Sequence, residues 1–380
     1  MSTHDVIVIG SGLIGSSIAW ELGRRGAHPL VLDRQTDGQE ASWAAAGMLQ
    51  PAPHNAETIP LVPLGQASLA LFPQFVAEIE EDSGHSVNLR QHGAMELLFS
   101  ADAERELSTL IALYHGLGLP AEPLPIEDAV ALEPAMSREA RAAALLPNEA
   151  TVDNRELALA TMEAARSHGA EFRGDAEVVS LEIRGGRVES VITREGHRYN
   201  AAQVVLAAGC YSSLLEEAAR YAPTRPVRGQ MVSLRSTAAR LTRVLRSHHG
   251  YILPRNDEQP QWIIAGTTSE HAGYEKRVTP AGLSHVLDAA QELVPELSGA
   301  EVTETWSGLR PDTPDHLPIL GPTDIDGLLI ATGHYRSGIL LAPITAKLIG
   351  EWILDRAVSF DWEMFSPMRF APMSRSAGSH

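Results

Sequence analysis

The sequence is poor in cysteine, aromatic residues and basic residues. Its 380 residues include one cysteine, Cys210, and only 5% aromatic residues. A single cysteine excludes an intramolecular disulfide framework and a cysteine-based metal cluster, which fits a reducing compartment. Acidic residues outnumber lysine and arginine by 48 to 30, so the formal net charge is −18. Because nucleic-acid binding requires clustered positive charge, we expect no nucleic-acid partner.

Long apolar runs and a secretion signal are also missing. The opening "MSTHDVIVIG" has no basic region followed by a long apolar segment, and it is typical of a buried strand. The run "GILLAPITAKLIGEWIL" is shorter than the roughly 18 apolar residues of a spanning helix and contains Lys347 and Glu351. We therefore expect a cytoplasmic protein without stable membrane insertion. Its length predicts two domains, or one α/β unit with an inserted lobe.

Residues 5–34 show the clearest local pattern, which is strand, helix, strand. Val6 to Ile9 predicts a buried strand, Leu13 to Gly26 predicts a helix, and Leu30 to Leu32 predicts a second strand. Later segments alternate in type. Residues 171–209 predict three short strands, and "GQMVSLR", "GYILPR" and "WIIAGTT" predict further strands around a helix from Pro280 to Leu293.

The turn after the first predicted strand carries a nucleotide-binding motif. Gly10, Gly12 and Gly15 form G-x-G-x-x-G, which allows a tight turn, close approach to phosphate, and helix–strand packing. Asp33 follows at the distance where an acid can bind a ribose hydroxyl. The pattern predicts a dinucleotide site for FAD or NAD, and the turn alone does not separate the two. An acid at Asp33 disfavours the additional phosphate of NADP, but the neighbouring Arg34 weakens that argument.

Several longer motifs then resemble one family. "ASWAAAGMLQP", "VVLAAGCYSS", "RPVRGQMVSL", "HHGYILPR", "WSGLRPDTPDHLPILG" and "ATGHYRSGILLAP" occur in the order found in the glycine oxidase branch of the D-amino-acid oxidase and sarcosine oxidase-like enzymes. The resemblance covers nearly the whole chain. It implies noncovalent FAD, because Gly308 stands where sarcosine oxidases carry the cysteine that links flavin.

The resemblance also implies the fold. It is an α/β glutathione-reductase-like FAD fold, in which a Rossmann-type FAD-binding domain carries an inserted antiparallel β-rich substrate domain. We assign residues 1–85, 146–222 and 305–365 to the discontinuous FAD-binding domain, 86–145 and 223–304 to the substrate-binding domain, and 366–380 to a tail. A helix starting near Ser337 is expected to point its N–H groups at the flavin.

The predicted site residues, from the glycine motif and from the resemblance, fall into two groups. For the cofactor they are Gly10, Gly12, Leu13, Ile14, Gly15, Asp33, Arg34, Ser42, Ala45, Ala46, Gly47, Met48, Val178, Gly209, Gly333, Ser337, Gly338 and Ile339. For the substrate, the resemblance implies that Arg336, Tyr251 and Arg310 form the catalytic set and bind a carboxylate. It places Met48, His249 and Ser269 around them, although His249 is equally well explained as a packed residue.

Two departures from the family concern the pocket. Ser269 stands near the position of a bulky apolar pocket residue, and Trp43 interrupts a run of small residues in the flavin loop. Both leave the preferred amine open. An arginine fork nevertheless suits a carboxylate, because two N–H donors meet two oxygens.

The implied activity is oxidation of a small amino acid by hydride transfer to flavin, with oxygen reduced to hydrogen peroxide. Glycine is the leading substrate, followed by sarcosine and small D-amino acids, and a link to thiamine biosynthesis and a homo-oligomer, such as a tetramer, are expected. Alternatives are a D-amino-acid dehydrogenase that uses another acceptor, an NAD-dependent dehydrogenase, and a flavin-binding regulatory protein without activity. We see no convincing set of metal ligands.

Overall fold

The computed structural model describes residues 4–35 and 39–371. Residues 372–380 of the predicted tail therefore lie outside the described residues. The strands in chain order are β1 His4–Ile9, β2 Pro29–Leu32, β3 Met48–Leu49, β4 Leu89–Arg90, β5 Ala94–Leu98, β6 Glu122–Leu124, β7 Ala142–Leu146, β8 Ala150–Val152, β9 Glu171–Arg173, β10 Val178–Arg184, β11 Arg187–Thr193, β12 Arg198–Leu206, β13 Arg225–Ser236, β14 Val244–Arg246, β15 Tyr251–Pro254, β16 Gln261–Gly266, β17 Glu301–Asp312, β18 Ile319–Pro322 and β19 Leu328–Thr332.

Helices connect these strands. They are α1 Leu13–Arg24, α2 Ala41–Ala44, α3 Val62–Ser83, α4 Ala103–Gly116, α5 Ile126–Leu132, α6 Asn154–Ser167, α7 Pro280–Leu293 and α8 Ala342–Asp355. The predicted βαβ unit is confirmed, and α7 has the bounds predicted for it. Where three strands were predicted between residues 171 and 209, the structure has four, because Asp175 adopts a left-handed conformation (φ 52°) and separates β9 from β10.

The first large sheet has the parallel core of a nucleotide-binding domain. Strand β1 pairs in parallel with β2 and β12, and β12 pairs in parallel with β19. One apolar cluster, which includes Leu22 and Leu348, lies with α1, α3, α6 and α8 against this sheet. A second cluster, which includes Ile7 and Leu206, belongs to the other side of the same strands. Burial on both faces explains why β1 and β2 are continuous apolar runs.

The second large sheet is mostly antiparallel and has the strand order β17-β13-β16-β15-β14-β5-β7-β6. Its core includes Leu234, Ile252 and Ile263, and α7 packs there through Val286 and Leu293. A Rossmann-type domain with an antiparallel β-rich partner is thus confirmed. The domain ranges stay a prediction, although the boundary at residue 305 lies inside β17, whose residues all belong to the second sheet.

One helical stretch, Ala56–Ser83, is long and apolar enough to span a membrane by length and composition alone. Its residues Leu64, Phe72 and Ile79 are buried in the first apolar cluster. Packing of this kind is what a core helix requires, so the stretch is weak evidence for a membrane span.

Candidate active site

A cavity of about 890 Å³ runs from the glycine turn after β1 to the second sheet, where Met231, Arg246 and Tyr251 line it. Most of the predicted site residues line it, from both groups: Gly10, Gly12, Ile14, Asp33, Arg34, Ser42, Ala45, Ala46, Gly47, Met48, Val178, Gly209, His249, Tyr251, Ser269, Arg310, Arg336, Ser337, Gly338 and Ile339. Residues separated by more than 300 positions in the chain therefore meet around one space. Its size is in the range of ligand and cofactor pockets.

Three predicted cofactor residues lie behind the cavity wall instead. The backbone N–H of Leu13 already donates to Ser42 Oγ at 3.0 Å. A Cβ on Gly15 would lie 1.9 Å from the Gly10 carbonyl oxygen, so Gly15 serves helix–strand packing. Gly333 has a positive φ of 74°, and its missing side chain makes room for Thr313. These three positions shape the wall rather than face the cavity.

The glycine turn presents free backbone donors to the cavity. Gly10 has a φ of 109°, which turns the chain sharply from β1 into α1. Within residues 4–35 and 39–371, the N–H groups of Gly12 and Ile14 have no acceptor, and both residues line the cavity. Unpaired N–H groups at a helix N-terminus suit a phosphate.

Asp33 lies at the end of β2 beside this turn. Its Oδ2 accepts from the backbone N–H of Ser11 at 2.6 Å and from Ser11 Oγ at 2.9 Å, and Oδ1 accepts from the N–H of Gln35 at 2.8 Å. These bonds hold the carboxylate at the cavity while leaving it lone pairs for a hydroxyl donor. Arg34 instead stacks over Tyr211, 3.6 Å from the ring centroid.

The segment after β19 corrects one prediction. No helix begins near Ser337, since residues 335–341 form turns and α8 starts at Ala342. Pro343 explains the difference, because inside a longer helix it would lack the N–H that should bond the Ile339 carbonyl. The turns expose the N–H groups of Gly338, Ile339 and Leu340, which find no acceptor in the described part of the chain and line the cavity.

Arg310 and Arg336 form the cationic end of the cavity. Arg310 donates to Thr267 Oγ1 at 2.7 Å and to the Thr268 carbonyl at 3.2 Å. Burial lowers the pKa of Arg310, and the like charge of Arg336 lowers it further. Among the described residues, no carboxylate forms an ion pair with either arginine. Two neighbouring guanidinium groups without a counter-ion therefore leave a site for an anion.

Tyr251 lies next to these arginines. Its hydroxyl contacts Met231 Sδ at 3.4 Å, and a Cβ on Gly266 would approach the Tyr251 oxygen to 2.8 Å. Burial raises the pKa of Tyr251, so the phenol keeps its proton near neutral pH. A protonated phenol near two guanidinium groups is a hydrogen-bond donor for an incoming carboxylate.

The remaining predicted residues lie at the rim. His249 Nδ1 lies 3.0 and 3.1 Å from the two oxygens of Glu292, and its side chain is about half exposed. Its ring is therefore bonded to an acid at the cavity mouth. Ser269 is exposed on the same cavity.

Among the cavity residues that sequence reasoning missed are His54, Glu96, Tyr114 and Arg246. Burial, followed by the charge of Arg336, lowers the pKa of His54 to about 3, so its imidazole is neutral at physiological pH. None of the four lies in a motif of the FAD turn. The pairing of β5 with β14 and the position of α4 bring Glu96, Arg246 and Tyr114 together, and His54 reaches the same cavity from the loop after β3.

The comparisons with known proteins agree with this geometry. Residues 5–352 match the DAO family model, described as FAD dependent oxidoreductase. The chain is 33% identical over 370 residues to the protein named glycine oxidase in Geobacillus kaustophilus (strain HTA426), covering 96% of this chain and 97% of that protein. It is 35% identical to a bifunctional protein ThiO/ThiG of Synechocystis sp. (strain PCC 6803), over 97% of this chain but 54% of that protein.

A solved structure shows the same architecture. The crystal structure of glycine oxidase from Geobacillus kaustophilus superposes with a TM-score of 0.90 at 32% identity, covering 97% of this chain and 99% of that one. Both large sheets are therefore shared with that structure.

Proposed function

The chain belongs to the DAO family of FAD dependent oxidoreductases and is an FAD-dependent amine oxidase, and we propose that it deaminates glycine or another small amine, such as sarcosine or a small D-amino acid. Oxygen is the proposed electron acceptor and hydrogen peroxide the product. The observation that carries the proposal is the pair Arg310 and Arg336, which share one cavity with Tyr251 and have no carboxylate partner among the described residues.

The residues around the cavity fit FAD. The free N–H groups of Gly12 and Ile14 suit the pyrophosphate, and Asp33 suits the adenosine ribose. The loop of small residues from Ser42 to Gly47 allows a planar ring to approach the backbone. The free N–H groups of residues 338–340 suit the polar edge of that ring. When bound, FAD supplies the acceptor for the hydride that leaves the substrate.

The protein's own contribution is mainly orientation. Arg310 and Arg336 bind the substrate carboxylate, and the Tyr251 hydroxyl donates a third hydrogen bond to it. With the carboxylate fixed, the α-carbon has one position in the cavity. His54 is neutral and adds no further positive charge there. The amine must be deprotonated for its carbon–hydrogen bond to be oxidised, and the imine that forms is hydrolysed by water.

The test is the visible spectrum of the purified protein, mixed without oxygen with glycine, sarcosine, D-alanine or D-proline. We expect a flavin spectrum that at least one of them bleaches, while acetate, which has the carboxylate but no amine, leaves it unchanged. A protein that carries flavin and is reduced by none of them would overturn the proposed substrate class.

The acceptor is tested separately. After anaerobic bleaching, admission of air should restore the oxidised spectrum and release hydrogen peroxide in equal amount to the amine consumed. Slow recovery in air with fast recovery on a quinone would instead favour the D-amino-acid dehydrogenase alternative. A cytoplasmic location, a homo-oligomeric state and a role in thiamine biosynthesis also belong to this proposal, and light scattering of the holoenzyme tests the oligomer.

A further inference from the structure

A single row of side chains crosses the second sheet beside the carboxylate site. Strand pairing places Glu96 opposite Arg246, Arg246 opposite Tyr251, and Tyr251 opposite Gly266. Directly paired residues lie on the same face of a sheet. Glu96, Arg246 and Tyr251 all line the cavity. Because adjacent strands are roughly 4.8 Å apart, the backbones of Glu96 and Tyr251 are separated by about 10 Å.

Arg246 is held in this row by a dense set of contacts. Its Nη1 donates to Glu149 Oε2 at 2.7 Å, and its Nη2 donates to Glu149 Oε1 at 3.1 Å and to the Tyr114 hydroxyl at 2.8 Å. Its Nε donates to Glu96 Oε2. Four of the five guanidinium N–H groups are thereby used. Arg246 is consequently a poor partner for a second substrate carboxylate.

Glu96 is the member of this cluster with a free oxygen. Its Oε2 accepts from Arg246, whereas Oε1 receives no hydrogen bond from residues 4–35 or 39–371. The side chain is 14% exposed, and that surface faces the cavity. Two carboxylates surround one guanidinium, so the cluster does not carry positive charge even though burial raises the pKa of Glu149. The cavity therefore has a cationic end at Arg310 and Arg336 and an acceptor at Glu96.

We propose that Glu96 determines substrate specificity by accepting a hydrogen bond from a donor group, above all an ammonium, on the substituent of the substrate amine or α-carbon. The substrate class is thus an amino acid with a carboxylate at one end and a cationic or donor substituent at the other. The inference rests on the proposed function, because the carboxylate site at Arg310 and Arg336 sets which way the substituent points. Amines that carry a second carboxylate are disfavoured by Glu96.

The test uses two series of closely matched substrates with the wild-type holoenzyme. In the first series the substituent is on nitrogen, in N-(2-aminoethyl)glycine, N-propylglycine and iminodiacetate. In the second it is on carbon, in D-2,4-diaminobutyrate, D-norvaline and D-aspartate. The readout is the second-order rate of anaerobic flavin bleaching, which does not depend on the electron acceptor. We expect the cationic member to exceed the anionic one by about tenfold or more in at least one series, the scale of one charged hydrogen bond.

Two variants assign that preference to Glu96. Glu96→Gln keeps an oxygen for Arg246 but removes the charge, and it should lower the cation-to-anion rate ratio by about fivefold or more. Glu96→Asp keeps the charge and should retain the order of the three substrates. Glu122→Gln, which removes an exposed acid from the edge strand of the same sheet, is the matched control and should not alter the ratio.

The outcomes distinguish failure of the role of Glu96 from failure of the proposed function. Equal rates for cationic and anionic members in both series, or faster rates for the anionic ones, would overturn the role of Glu96 while leaving the proposed function intact. A ratio unchanged in Glu96→Gln would do the same. If glycine, sarcosine and all six probes leave the flavin oxidised, the proposed function itself fails.

Discussion

At the scale of single residues, Arg310 and Arg336 carry the same charge but are held differently. Two threonines fix the Arg310 guanidinium, whereas Arg336 lines the cavity with its guanidinium over Tyr335, 5.4 Å from the ring centroid. Arg310 is therefore a fixed part of the cavity wall, whereas the Arg336 guanidinium is available to bind a carboxylate. Replacement of Arg336 should affect binding of substrate more than the structure of the site.

We expect Arg336→Ala to raise KM for the best amine by about 10- to 150-fold, because a hydrogen bond to a charged group contributes about 1.5–3 kcal/mol. FAD content should stay at the wild-type level. Steady-state kinetics and the ratio of flavin to protein absorbance measure the two effects. Arg277→Ala removes an exposed arginine and serves as the control. Unchanged KM in Arg336→Ala would remove this residue from the carboxylate site.

Glu270 gives a prediction on pH and stability. Burial opposes its ionisation, but hydrogen bonds from Arg228 Nη2 (2.6 Å), Thr268 Oγ1 (2.5 Å) and Gln230 Nε2 (2.7 Å) outweigh it and lower the pKa of Glu270 from 4.5 to about 2. Because the folded-state pKa lies below the unfolded value, the stabilisation is complete above pH 4.5. It is lost as the pH falls from about 4.5 towards 2.

We therefore expect Glu270→Gln to lower the free energy of unfolding at pH 7 by about 1–3 kcal/mol, since the buried Arg228 loses the nearer of its two charged partners. The difference from wild type should shrink steadily below pH 4.5. Denaturant unfolding at several pH values measures it, with Glu275→Gln, a more distant acid 3.6 Å from Arg228, for comparison. A difference that is constant from pH 7 to pH 3 would contradict the assignment.

Single residues also differ in whether the sequence predicts their place in the cavity. Gly12, Asp33 and Arg336 could be predicted because each lies in a short motif whose chemistry is local. Glu96 and Arg246 could not, since 150 positions separate them and only strand pairing makes them neighbours. A charged residue inside an apolar strand is a weak signal by itself, because the sequence does not show which charges meet.

At the scale of elements, the space around the junction of β1 and α1 determines which of its glycines the fold requires. A Cβ at Gly15 would collide with the Gly10 carbonyl, whereas a Cβ at Gly12 would meet only Ser42 Oγ, at 3.3 Å. The fold thus requires a glycine at position 15, and the fold alone does not require one at position 12. The open space at Gly12 is what a phosphate would fill.

From this difference we expect Gly12→Val to fold with near-normal secondary structure but to lose FAD. A branched side chain there would occupy the space in front of the free N–H groups. Circular dichroism and flavin absorbance of the purified variant separate folding from binding. Gly116→Ala, at a helical glycine whose added Cβ meets nothing within 4 Å, is the control and should retain FAD. A Gly12→Val protein with full flavin content would contradict the pyrophosphate assignment.

The start of α8 shows that an apolar pattern predicts a helix better than it predicts the residue where the helix begins. The apolar run after Ser337 predicts the helix correctly but places its start five residues too early. Glycine and serine fit a helix start, which is the basis for the prediction at Ser337, but a proline also fits the first turn of a helix. Pro343 sets the observed start at Ala342 through its missing N–H. The consequence is functional, because the residues left in turns keep their N–H groups free for the cavity.

At the scale of the whole molecule, side chains of α6 and β17 link the two large sheets. Arg155, from α6 beside the first sheet, donates through Nη1 and Nη2 to the two oxygens of Glu304 on β17, at 2.9 Å each. Its guanidinium also lies over the rings of Trp43 and Trp306, 4.6 and 4.8 Å from their centroids. Trp43, which departs from the small residues of the flavin loop, thus contributes to the contact between the two halves.

Because both sheets line the cavity, cofactor binding should stabilise them together. At a free FAD concentration of 100 times Kd, linkage adds about 2.7 kcal/mol. Unfolding entropy of about 2.1 cal/mol/K per residue then predicts a rise in Tm of about 3 °C for this chain. Scanning calorimetry of apoprotein and holoprotein measures it, and Gly12→Val should show no rise. Two transitions of which only one moves with FAD would mean that the halves unfold separately, and the cavity would then belong energetically to the nucleotide-binding sheet alone.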